Sequence, residues 1–218
     1  MMPRLHHDHH PINVSAAPRV DAHRWHRRRI WLIALLALTG AVLLAKGGYM
    51  QAKALFAQYL IEDAWHKSLQ DRQPHKPWFW ADTHPLGKLW IGNNPPLYVL
   101  AGASGRNLAF GPAQMLGGAN PGERGNTVIA GHRDTHFSVL AYAKRGQILR
   151  LQTMDGQMHL YRIRAARIVH QSQTQWLASG DESLLTLVTC YPFNALGGGA
   201  ALRFLVEAEA LAPLSQSA

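Results

Sequence analysis

The run Leu184-Leu-Thr-Leu-Val-Thr-Cys190-Tyr-Pro-Phe193 constrains this chain more than any other stretch. Its apolar and β-branched residues read as a strand. Pro192 cannot donate to a central sheet ladder, so Cys190 falls at or near the strand's last paired position, where a rigid element hands a side chain to a cleft. Cys190 is also the single cysteine of the chain, which leaves no internal disulfide. In an oxidising compartment a free thiol suggests use, whereas a lone cysteine in general is a small buried hydrophobe. The residues around it decide between the two.

Short apolar runs ended by glycine fill the chain from Leu89 onward. Leu97–Ala101 stops at Gly102 and Asn126–Ala130 stops at Gly131. Gln147–Leu151 and Tyr161–Val169 flank Met154-Asp155-Gly156, and Asp-Gly between two such runs signals a hairpin. Tyr161, Ile163 and Ala165 alternate with Arg162 and Arg164, as in a strand with one wet face. Leu184–Thr189 and Ala201–Ala208 complete the set. This pattern predicts an all-β domain over residues 89–212, a closed antiparallel barrel or a sandwich with short helices, and a tail over 213–218.

Four segments precede or enter that domain. Residues 1–29 hold six arginines against Asp8 and Asp21, so +4 of the formal +9 charge lies in a basic tail that contains the cluster His6-His7-Asp8-His9-His10. The remaining cations are spread singly, with no basic run interleaved with aromatics, which argues against nucleic acid as a partner. Ile30–Ala45 is sixteen residues without a charge. At ~1.5 Å per residue it spans roughly 24 Å, and Arg29 and Lys46 can extend their head groups outward, so residues 30–47 read as a transmembrane signal-anchor. Arg24, Arg27, Arg28 and Arg29 before the span place the N-terminus in the cytoplasm and the domain outside the inner membrane. Over 48–88 an amphipathic helix with Ala52, Leu55, Phe56, Tyr59 and Leu60 on one face, a stripe that drifts to Trp65 and Leu69 beyond Asp63, leads into a Trp- and Pro-rich linker.

Two further pieces surround Cys190. Asn126-Thr-Val-Ile-Ala-Gly-His132-Arg-Asp-Thr-His136 runs a strand into glycine, leaving His132 beside open space. His136 lacks the preceding glycine and is expected to face solvent. Asp134 either orients His132 or pairs at the surface with Arg133. Arg203 opens the alternating run Ala201–Val206, thirteen residues after Cys190.

Thr186-Leu187-Val188-Thr189-Cys190 resembles the TLxTC signature of sortases, cysteine transpeptidases of bacterial surfaces. The strand–Gly–His–Arg setting of His132 and the arginine on the strand after the cysteine's strand resemble the same family. The resemblance implies a sortase-type β-barrel with Cys190 as nucleophile, His132 as proton donor and acceptor, and Arg203 as oxyanion or substrate-carbonyl donor. Thr189 would support by orienting Arg203 or substrate. It implies attack by Cys190 on the Thr–Gly bond of an LPXTG-like signal near a target's C-terminus, then transfer of the acyl group to an amine, with no cofactor or metal. The tail, span and Trp-rich linker further resemble sortases of Gram-negative bacteria (class GN, the marine proteobacterial type). Acidic residues are too few and scattered for the calcium site of some relatives, and the loop Asn194–Ala200 is short and glycine-rich. A hydrolase on the same barrel and a periplasmic β-barrel binding module with an inert Cys190 are the alternatives.

Overall fold

The structure, a computed structural model, describes residues 22–178, 180–195, 197 and 199–211. The histidine cluster His6–His10 and the expected tail 213–218 lie outside the described residues. The chain divides into two units, one up to Met50 and one from Gln51 onward.

The helix α1 (Ala22–Asp71) already includes residues 22–29, which had read as tail, and within the first unit it runs through Gly47 and Gly48 without interruption. Its segment from Trp25 is long and apolar enough to cross a membrane, and none of the apolar window is buried.

In the second unit, the α1 residues that pack match the expected stripe only at its far end, where Trp65 is buried. Leu55, Phe56 and Tyr59 are exposed, whereas Ala57, Ile61, Ala64, Trp65 and Ser68 are buried. Those five positions also follow helical spacing, but three are small residues that weigh little in a hydropathy pattern. Ile61 packs with Leu100 and Ala113 on the outside of the barrel, and Gln58 Nε2 donates to the Phe110 carbonyl at 2.6 Å.

Eight strands follow: β1 (Pro85–Ile91), β2 (Leu97–Ala101), β3 (Ala113–Gln114), β4 (Gly125–Ala130), β5 (Ile148–Thr153), β6 (Met158–His170), β7 (Ser183–Tyr191) and β8 (Leu202–Ala210). They close in the order β1-β2-β3-β4-β7-β8-β6-β5, and closure leaves no sheet edge unpaired. Most neighbours are antiparallel, but β2–β3 and β4–β7 are parallel. The Asp-Gly hairpin joins β5 to β6, with Gly156 at φ 83°. Strand β3 was missed because two residues display no period. Strand β1 begins at Pro85, inside the expected linker, with proline in the first-residue position where its missing N–H is tolerated.

Alternation assigns the faces. Leu185 and Leu187 of β7 join Ile129, Val206 and Ala208 in the barrel interior. Val188 points the other way, into an outer cluster with Val128 and Leu205 that Met115, Trp176 and Leu177 pack against. Both faces of β7 are therefore buried over most of its length, which explains its continuous apolar run.

Candidate active site

Cys190 is the penultimate residue of β7 and shares the outer parity of Thr186 and Val188. Burial ends there: Thr189 is 3 % exposed, while Cys190 is half-exposed. The strand thus fixes the backbone of Cys190 at the point where burial gives way.

Arg203 lies directly opposite Cys190 in the antiparallel β7–β8 ladder. Residues so paired have Cβ atoms roughly 4.5–5.5 Å apart on one face of the sheet. The guanidinium is engaged beside the ladder. Nη1 donates to the carbonyls of Ala200 (2.6 Å) and Leu202 (3.1 Å), and Nη2 donates to Gln171 Oε1 at 3.1 Å. Arg203 therefore stands next to the thiol with its charge turned to the β7–β8 connection and to Gln171.

His132 arrives on the other side. β4 runs parallel to β7, with Ala130 opposite Val188, and the Gly131 N–H donates to the Val188 carbonyl at 3.1 Å. β4 ends at Ala130, so His132 stands just past the last paired residues, one position after the Gly131–Val188 bond. His132 is exposed. Thr189 secures the junction, since its buried Oγ1 donates to the Gly131 carbonyl at 2.7 Å. The hydroxyl therefore goes to the glycine before His132 and not to Arg203.

The glycine has a packing reason. A Cβ on Gly131 would meet Phe137 Cδ2 at 2.6 Å and Cγ at 2.8 Å. Phe137 is fully buried, and its N–H donates to the His132 carbonyl at 3.0 Å. Residues 132–137 thus close a tight turn over the barrel end. Within it His136 is half-buried, not solvent-facing, and burial holds its imidazole pKa below the ordinary histidine value, helped by His132 and opposed by Asp134. Arg133 turns inward instead of pairing with Asp134: it is 8 % exposed, and Nη2 donates to the carbonyls of Ala195 (3.1 Å) and Gly197 (2.6 Å). No sequence signal beyond its place after His132 marks Arg133, and Gln171 carries none.

The outer face continues from Cys190 toward the start of β7. There a cavity of about 460 Å³ lies between the short 3-10 turn Gln175–Leu177 and the strands, lined by Asn126, Arg164, Arg167, Trp176, Thr186 and Glu207 among others. Asn126 Oδ1 accepts from Thr186 Oγ1 at 2.8 Å and its Nδ2 donates to the Trp176 carbonyl at 2.8 Å, which fastens the turn to the floor. Glu207 pairs with Arg167 and Arg164, and Arg164 also reaches Glu182 at 2.6 Å.

A closed eight-stranded barrel presenting a thiol between an arginine strand and a histidine-bearing turn defines a recognisable kind of domain. A family model described as the sortase domain matches residues 92–211, more than half of the chain, and the chain belongs to the sortase family. It is similar to "Sortase D" of Bacillus subtilis (strain 168), with 31% identity over 105 residues, or 48% of this chain and 52% of that protein. The chain thus spans about half the length of the relative it matches. Among solved structures it is similar to sortase A from Corynebacterium diphtheriae, with TM-score 0.56 and 24% identity over 64% of this chain and 66% of that one. A Clostridium perfringens sortase D5 transpeptidase gives TM-score 0.53 and 22% identity over 69% of this chain and 88% of that one. At these identities the structural likeness is one of fold.

Proposed function

We propose that the protein is a membrane-anchored cysteine transpeptidase acting on a C-terminal LPXTG-like sorting signal. The observation that carries this reading is the half-buried Cys190 at the end of β7, with Arg203 opposite it on β8 and His132 in the turn just after the neighbouring β4. Cys190 Sγ attacks the threonine carbonyl carbon, and the oxyanion that forms takes donors from the always-charged Arg203 guanidinium. The C–N bond to glycine then breaks, His132 gives its proton to the departing amine, and a thioester remains on Sγ. An incoming amine gives a proton to His132 and attacks the thioester carbonyl, and the C–S bond breaks to free the thiolate.

Peptide residues before the scissile bond would lie along the outer face of β4 and β7, over Val128 and Val188, between Met115 and the Gln175–Leu177 turn. The apolar segment of α1 would span the inner membrane with the N-terminus cytoplasmic, because Arg27, Arg28 and Arg29 precede it. The tail, span and Trp-rich linker support the Gram-negative class. Incubation with LPXTG-like peptides should give an acyl adduct on Cys190 by mass, absent in Cys190→Ala. Added amines should convert it to a ligated product. Release of free acid alone, unchanged by amines, would make the protein a hydrolase, and no adduct with any such peptide would end the reading.

A further inference from the structure

Two guanidinium groups grip the connection between β7 and β8 from opposite sides. Arg203 holds the Ala200 carbonyl from the β8 side, where the Gln171 N–H also binds the Ala201 carbonyl at 2.8 Å. Arg133 holds the carbonyls of Ala195 and Gly197 from the turn that follows β4. Arg133 itself is fixed from behind, because its neighbour His132 is bonded through its carbonyl to Phe137, which is fully buried against Gly131. A cation on the histidine turn is therefore joined to the segment that leads from Cys190 into Arg203.

Arg133 is 8 % exposed, so its charge lies inside the turn and is met by backbone carbonyls. Burying a charged guanidinium is costly unless its donors are bonded. A merely fold-stabilising residue at this place could be apolar, since well-packed apolar groups often replace buried ionic groups with no loss of stability. A guanidinium is suited instead to holding several carbonyls in one plane.

We infer that Arg133 is a positioning residue of the reaction, setting the β7–β8 connection and thereby the seat of Arg203 beside Cys190. The inference rests on the transpeptidase reading for its kinetic consequences only. Arg133 touches no reacting atom; it acts through Arg203.

The test compares Arg133→Gln, Arg133→Lys, Arg203→Gln and the double variant Arg133→Gln/Arg203→Gln in the full chain. With an LPXTG-like peptide, Arg133→Gln should lower kcat/KM about 30-fold, mostly in kcat, against the ~10²–10³-fold typical of losing an oxyanion donor for Arg203→Gln. The double variant should fall no further than Arg203→Gln alone, because a residue acting through Arg203 has nothing left to position. Arg133→Lys keeps the charge but not the planar fork, so it should recover only a small part of the loss. Hydrogen exchange supplies a readout free of activity: amides of residues 193–201 should exchange at least tenfold faster in Arg133→Gln, with β4 and β7 unchanged. Multiplicative losses in the double variant, or loop exchange equal to wild type, would overturn the inference. If Arg133→Gln does not fold, Arg133→Lys takes its place in both arms. If the wild-type chain transfers no peptide, the transpeptidase reading fails and the exchange arm alone decides whether Arg133 holds the loop.

Discussion

The wall of the barrel holds its candidate residues in two different ways. On the β4–β7 side the supports are buried: Thr189 is 3 % exposed and donates to Gly131, and Phe137 is fully buried against the same glycine. On the β8 side the Arg203 guanidinium is held by the loop carbonyl of Ala200, the carbonyl of Leu202 and the exposed amide of Gln171. The first set is tied to the core, so the placement of His132 and Cys190 is inseparable from folding. The second is tied to surface segments, where bonds are exchanged with water at little net cost. One side of the site is held directly by buried groups and the other by exposed ones.

Substitutions break this contrast if both sides respond alike. The largest effect is expected at Gly131. Gly131→Ala drives a methyl to 2.6 Å from the Phe137 ring, and forced overpacking costs about 1–3 kcal/mol. The melting temperature should fall together with any rate of adduct formation on Cys190. A variant as stable as wild type would show that the turn yields easily. Thr189→Val comes next. It keeps shape but removes the donor to the buried Gly131 carbonyl, which costs roughly 1–3 kcal/mol, so denaturant midpoint and activity should again fall together. Gln171→Ala tests the other side. It releases one exposed bond to Arg203, so activity should change a few-fold while stability stays within about 0.5 kcal/mol. A large loss of stability there would erase the distinction.

The same contrast governs what was legible in the residues. The strands β2, β4, β5, β6, β7 and β8 show in the sequence because glycine or turn residues punctuate apolar runs, and the lone cysteine at a strand end before proline marks the site. Parallel pairing of β4 with β7 does not show, because a run buried on both faces carries no period to reveal its partner. The packed face of α1 was misread before Trp65, because Ala57, Ala64 and Ser68 bury little apolar area and so leave Leu55, Phe56 and Tyr59 to dominate the pattern. Arg133, Gln171 and the path of the Thr189 hydroxyl were hidden for a further reason. Each acts on a backbone carbonyl or a side chain brought near only by the fold, and carbonyls are the same at every position.

The smallest expected effect separates the two sides by pH. His136 sits in the turn between Gly131 and the core, and burial first, then the neighbouring His132, depresses its pKa, with Asp134 opposing. The unfolded chain takes up this proton near the ordinary histidine value of about 6.5, while the folded chain resists until lower pH. Folded protein then binds fewer protons than unfolded, so stability is complete above that value and declines as pH falls through and below it. His84, also depressed by burial, adds to the same decline, whereas Asp71 and Asp155, with lowered carboxyl pKa values, act only below about 3.9. Melting temperatures of wild type and His136→Gln between pH 7 and 5 should therefore diverge, with the variant showing the shallower fall. Because the proton enters the core-tied turn, acid should loosen the His132 side before it disturbs the Gln171–Arg203 bond. Equal slopes in the two proteins would mean that the turn is open enough to hydrate His136, and the histidine side would then be no more rigid than the arginine side.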